Sequence, residues 1–159
     1  MAMGIGIRKL VLTAAACAAA ITLASCASLQ HSWDQGNVDN VANLINTGQS
    51  ATLAAMSGSP FLVDGEVVPL KVDVAEFWNG IIKAGYKVRG PQLGTAAPVR
   101  ADSYKQFADT MEVHAFFLNY VKKDARILEM KTSAGKSILL IIKDSLFSNK
   151  IIQGVKGPY

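Results

Sequence analysis

Phe61-Leu62-Val63-Asp64-Gly65-Glu66-Val67-Val68, and shortly after it Asp73-Val74-Ala75-Glu76-Phe77-Trp78-Asn79-Gly80-Ile81-Ile82-Lys83-Ala84, form the stretch on which the fold turns. Asp-Gly between two β-rich runs supplies the positive φ angles of a type I′ turn, so residues 61–68 read as a hairpin of two short strands. In the second run Val74, Phe77, Trp78, Ile81 and Ile82 stand at i, i+3, i+4, i+7 and i+8, one apolar face of a helix. Asp73 and Glu76 have capping-box spacing at its start, both carboxylates suit the positive end of the helix dipole, and Gly85 is the natural stop. Phe77 and Trp78 bring the largest apolar area, which makes this helix the anchor of the core.

Upstream, Val38, Val41, Leu44 and Ile45 form a helical stripe with Asn37 as its expected N-cap and Gly48 as its end. A second helical stretch carries Leu53 and Met56 and stops at Ser57-Gly58-Ser59-Pro60. Downstream, Tyr86 to Arg89 reads as the start of a strand. Residues 90–103, with two glycines and two prolines, read as a loop that is either functional or hides a short strand. Strands are then expected at Met111 to Val121, Arg126 to Thr132, Ile138 to Lys143 and Lys150 to Val155. Phe107, Met111, Ala115 and Leu118 also satisfy a helical spacing, so a helix is the alternative for the first of these. Ile138-Leu139-Leu140-Ile141-Ile142 is too continuously apolar for a solvent-facing strand and belongs in mid-sheet, covered on both faces.

Helices, a hairpin, a helix and a closing meander give an α+β class: N-terminal helices and one amphipathic helix on one face of a curved antiparallel sheet. With the strands ending in Lys150-Ile151-Ile152-Gln153-Gly154, that order resembles the nuclear transport factor 2-like superfamily, the cone-shaped folds that include SnoaL-like and ketosteroid-isomerase-like proteins. The likeness covers roughly residues 38–157 and is one of pattern, not motif. The alternative is a cystatin-like sheet wrapped around one helix.

At the N-terminus Arg8-Lys9 precedes an uncharged run from Leu10 to Leu23. Fourteen helical residues span about 21 Å, short of the roughly 30 Å hydrocarbon core, so the run fits a signal-peptide h-region and not a membrane span. It ends in Leu23-Ala24-Ser25-Cys26, which resembles the lipobox of bacterial lipoproteins: a branched apolar residue, two small residues, then cysteine. The resemblance implies a diacylglyceryl thioether, and palmitate-type acyl chains, on Cys26, with signal peptidase II cutting before it. An ordinary secretory signal cut after Ser25 or Ala27 is the rival. The expected organisation is a signal peptide at 1–25, a lipidated tether at 26–36 and one domain at 37–159. Trp33, inside the tether, either packs on the first helix or inserts at the membrane interface. Ala27 lacks the Asp that resembles an inner-membrane retention signal, which implies the outer membrane.

Loss of Arg8 and Lys9 from 16 basic residues leaves 14 against 12 acidic ones, and net charge falls from +4 to +2. No nucleic-acid partner is expected on that balance. The signal removes Cys17 and acylation consumes Cys26, so the mature domain has no disulfide, thiolate ligand or Cys nucleophile.

Gly135-Lys136-Ser137 resembles the end of a phosphate loop, but Met130 stands where Gly is needed, and a hairpin turn is the better reading. His31 and His114 lack carboxylates at ligand spacing, so no metal is expected, nor any other cofactor. No nucleophile elbow accompanies any serine. In the cone reading Phe77, Trp78, Ile81, His114, Phe116, Leu118, Tyr120 and Met130 are the candidate lining of a packed core or an apolar cavity. Family enzymes of this shape use an Asp with a Tyr or His, and here Asp102 or Asp109 with His114, Tyr120 or Tyr86 would fill those places. The sequence shows no catalytic signature on them. The expected function is therefore a membrane-anchored, non-catalytic binding or structural domain. An isomerase- or dehydratase-like enzyme is the alternative. Expected partners are the membrane through Cys26, an apolar ligand or a protein, and a second copy pairing through the sheet. In the second half of the chain Lys122, Lys123, Arg126, Lys131, Lys136, Lys143, Lys150 and Lys156 face only four acidic residues, which suits a solvated surface or weak attraction to anionic headgroups.

Overall fold

The computed structural model describes residues 28–145 and 148–158, and of residues 144, 145 and 148–150 the backbone alone. The chain divides into two compact units, Met1–Trp33 and Asp34–Tyr159; of the first only residues 28–33 are described, as helix. The elements are α1 (28–46), α2 (Ser50–Met56), β1 (Ser57–Val63), β2 (Glu66–Val68), α3 (Lys71–Lys83), β3 (Gln92–Pro98), a 3-10 turn (Ser103–Gln106), α4 (Met111–Asn119), β4 (Ala125–Lys131), β5 (Ser137–Ser145) and β6 (Ser148–Lys156). The fold class is α+β, with strands in the order β2-β1-β6-β5-β4-β3. The sheet is mixed, because β1 runs parallel to β6 while the other pairs are antiparallel. That corrects the all-antiparallel expectation.

The hairpin forms as read: Phe61 pairs with Val68 and Val63 with Glu66, and Asp64 and Gly65 both have positive φ, 53° and 113°. Helix α3 begins two residues before Asp73, at Lys71, with Leu70 as an N-cap that makes no side-chain bond, so the capping box at Asp73 is not used. Its end is a Schellman closure: Gly85 N–H donates to the Ile82 carbonyl at 3.0 Å and Tyr86 N–H to that of Ile81 at 3.3 Å, with Gly85 at φ +72°.

Two apolar clusters form, one on each face of the sheet. The first joins α1, α2 and α3 to the sheet through Val38, Val41, Leu53, Phe61, Trp78, Leu128, Met130 and Leu140, all at most 1 % exposed. The second packs Phe107, Val113, Phe116 and Phe117 on Leu62, Ile127 and Ile141. Successive side chains of a strand point to opposite faces, so Leu140 enters one cluster and Ile141 the other. The continuous apolar run 138–142 is thus explained by cover on both sides. Each fully buried side chain of this size stabilises by roughly 1.5–3 kcal/mol. Gly154 lets the strands close up under the second cluster: a Cβ there would lie 2.9 Å from Leu62 Cβ.

Cover on both faces corrects the one-face arrangement. The cause is Met111 to Val121, read as a strand and found as α4 over Met111–Asn119. Thr110 caps it by accepting the Val113 N–H at 3.3 Å, and the buried residues Val113, Phe116 and Phe117 follow the helical period. Residues 90–103 do hide a strand, β3. Tyr86 to Arg89 is not one, since Asn46 takes its hydrogen bonds: the Asn46 amide donates to the Val88 carbonyl and accepts the Val88 N–H, both at 2.8 Å.

Residues 28–36, the described part of the segment expected to be a polar tether, are helical, and Asn37 is a buried position within α1, not its N-cap. Long-range polar contacts hold Asp34 and Gln35. Asp34, 2 % exposed, receives Arg126 Nε at 3.0 and 3.1 Å and its terminal nitrogen at 2.8 Å, while Gln35 Oε1 accepts the Leu93 N–H at 2.9 Å. Trp33 remains 45 % exposed, contrary to the packed reading.

Candidate functional site

The sheet separates the residues singled out from the sequence. Phe77, Trp78, Ile81 and Met130 belong to the first cluster. Phe61, Phe77 and Trp78 pack with ring centroids 5.0–6.1 Å apart. The Trp78 indole N–H donates to Ser57 Oγ at 2.8 Å and that hydroxyl to the Leu53 carbonyl at 2.8 Å, so the polar handle of the tryptophan is satisfied in the interior. Side chains fill this face.

Phe116 lies in the second cluster with α4. His114, on the same helix, is half-buried and stacks on Tyr104 with ring centroids 4.5 Å apart. Leu118 and Tyr120 are exposed, at 70 % and 47 %. The eight residues therefore do not line one cavity, because α4 carries three of them and Tyr120, at its C-cap, to the far side of the sheet. Asp102 and Asp109 are exposed, the latter 3.9 Å from Lys105. Tyr86 donates from its hydroxyl to the Pro158 carbonyl at 3.0 Å, and burial raises its pKa. Cys26 lies outside the described residues. Among the described residues no group of three or more His, Cys, Asp and Glu could hold a metal ion, and no helix is long and apolar enough to cross a membrane.

Among the described residues two depressions lie on the second face, where α4 covers part of the sheet and leaves the rest open. The larger, about 590 Å³, is lined by Asp64, Gln106, Ser137, Leu139, Lys156 and Gly157, with Pro158 at its edge. Lys156 Nζ donates to the carbonyls of Gln106 and Phe107 at 2.7 and 2.8 Å, and Asp64 Oδ1 accepts the Gly157 N–H at 2.9 Å. Beside it Glu129 accepts the Ser137 hydroxyl at 2.7 Å and the Thr95 N–H at 3.0 Å; the Ser137 bond is the main cause of a lowered Glu129 pKa. The smaller depression, about 250 Å³, runs along α4 between Val67 and Tyr120. In the larger one an apolar floor meets a cation and a carboxylate already engaged by backbone, a lining suited to holding a ligand or chain segment and not to activating a nucleophile.

Sequence reading missed this groove because Asp64 and Lys156 meet only through the parallel pairing of β1 with β6, in which Val63 stands opposite Val155. The signal that survives in the sequence is Lys156 itself, one of the basic residues of the second half. No family model matches the chain, and no curated protein or solved structure matches it either.

Proposed function

We propose that the protein is a bacterial lipoprotein, held on a membrane by acyl chains on Cys26, whose α+β domain binds a partner or serves structurally without catalysis. The observation that carries the non-catalytic reading is the filled first face: Trp78 is 1 % exposed with its N–H bonded, where a catalytic cone needs an open interior. The anchoring reading rests on Leu23-Ala24-Ser25-Cys26 and the short apolar run before it. Ala27 after that cysteine favours the outer membrane, facing the periplasm or the exterior.

The finer fold reading is the cone of the nuclear transport factor 2-like superfamily. Two helices, a hairpin, a helix and a closing meander support it. Pairing of two copies through the sheet is left the part of the second face that α4 does not cover, around Ser137 and Leu139. The isomerase- or dehydratase-like alternative gains nothing from His114, which stacks on Tyr104 with the sheet between it and Trp78. The test is titration of the purified lipoprotein with fluorescent fatty acids and small apolar probes, following Trp78 emission. The reading expects no saturable quenching of Trp78. Saturable quenching of Trp78 would overturn the filled first face and make the domain an apolar-ligand carrier, and turnover of a small carbonyl substrate that disappears in folded His114→Ala would overturn the non-catalytic reading.

A further inference from the structure

Helix α1 is described from residue 28, two positions after the cysteine proposed to carry the acyl chains. Leu29 and Trp33, one helical turn apart, are both exposed, at 60 % and 45 %. At 3.6 residues per turn they share a side of the helix with Gly36 and Asn40, away from buried Val38 and Val41. That side is apolar at the anchor end alone. Residues 28–33, Ser-Leu-Gln-His-Ser-Trp, include no Lys, Arg, Asp or Glu. The first carboxylate, Asp34, is engaged by Arg126, so laying this turn against lipid strips no acidic or strongly basic side chain of its water.

We infer that residues 28–34 of α1 lie in the membrane interface, with Leu29 and Trp33 inserted among the headgroups and upper acyl chains of the leaflet that holds Cys26. The reach is sufficient. Seven residues, the last five of them helical steps, put the Trp33 backbone at most about 15 Å from Cys26 whatever the conformation of the two between, and interfacial helices bury their apolar side by roughly 5–10 Å. Tryptophan favours this zone, where its ring is apolar and its N–H finds a wet partner. A second apolar contact also agrees with the general requirement that one lipid signal be supplemented for stable attachment. The membrane interface is thus a second determinant of how the domain is held, and it rests on the anchoring reading above.

The protein has two tryptophans, and Trp78, sealed in the core, is the internal reference for the other. The experiment is tryptophan emission of the full lipoprotein in vesicles of plain phosphatidylcholine and of phosphatidylcholine brominated at shallow or deep acyl positions. Intact mass is measured on the same sample. The expected result is a blue-shifted component quenched most by the shallow bromines and absent in Trp33→Phe, over a Trp78 component that bromine does not touch. Equal emission in brominated and plain vesicles, from a protein whose mass shows acylation, would overturn the inference while leaving the anchor standing. A blue shift that follows protein density and ignores bromine would overturn it in favour of contact between two copies. A mass without acyl chains would instead remove the anchoring reading on which it rests.

Discussion

The two faces of the sheet share strands β4, β5 and β6 and differ in what covers them. On the first face three helices bring Val38, Leu53 and Trp78 down on Met130 and Leu140, and Asp34 on α1 is tied to Arg126 on β4. On the second, a 3-10 turn and the nine-residue α4 cover Ile127 and Ile141 and stop short of Ser137 and Leu139. A fully covered face has no room for a ligand; a partly covered one leaves grooves at the edge of its lid. The two grooves described among these residues therefore lie on the second face.

Truncation measures whether both faces are true cores. Trp78→Ala removes the largest buried side chain and the donor to Ser57 Oγ, and is expected to cost about 3–5 kcal/mol in denaturant unfolding. Phe116→Ala on the second face is expected to cost about 3 kcal/mol. A loss below about 1 kcal/mol for Phe116→Ala would mean that α4 is a loose flap, since that is the scale of ordinary substitutions.

The ion pair sharpens the contrast. Asp34→Ala leaves the Arg126 guanidinium without its carboxylate, and because Arg126 is 25 % exposed the expected loss is about 2–3 kcal/mol, toward the lower end for a broken buried pair. An unchanged midpoint would show that α1 is held by apolar contact alone. On the second face Lys156→Met deletes two hydrogen bonds from an ammonium at the groove, with an expected loss of about 1 kcal/mol. A loss as large as that of Asp34→Ala would contradict the view of this edge as lightly held.

Local signals and distant partners explain what could be read from the sequence. The Asp64-Gly65 turn, the apolar face of α3 and the two-sided cover of residues 138–142 are written in neighbouring residues, and all three were legible. Nothing local marks Asp34 and Gln35 as part of the fold; what ties them to it is Arg126, 92 positions from Asp34, and the Leu93 amide bonded to Gln35. Asn46 likewise denies Tyr86 to Arg89 to the sheet from 42 positions away. For α4 both periods were present, and Thr110 decided between them as a cap that the strand reading passed over. The groove was not legible because its walls come from the hairpin, the 3-10 turn and β6, brought together by a parallel pairing.

The smallest expected effect concerns pH. The Glu129 pKa is lowered from about 4.5 on folding, chiefly by the Ser137 hydroxyl, so its contribution is fully present above that value and is lost as pH falls through the lower folded value. Unfolding midpoints of wild type and Glu129→Gln should converge below pH 4.5, with wild type the more stable at neutral pH. Parallel curves across that range would assign no such role to the carboxylate.

The claim on which the rest depends is that the filled domain works at a membrane to which Cys26 holds it. The direct measurement is the intact mass of the protein from its native host, beside the membrane and soluble fractions of wild type and Cys26→Ala. The account predicts a chain beginning at Cys26, heavier by its acyl groups and confined to membranes, and a Cys26→Ala protein shifted toward the soluble fraction. An unmodified, soluble wild-type chain would contradict it.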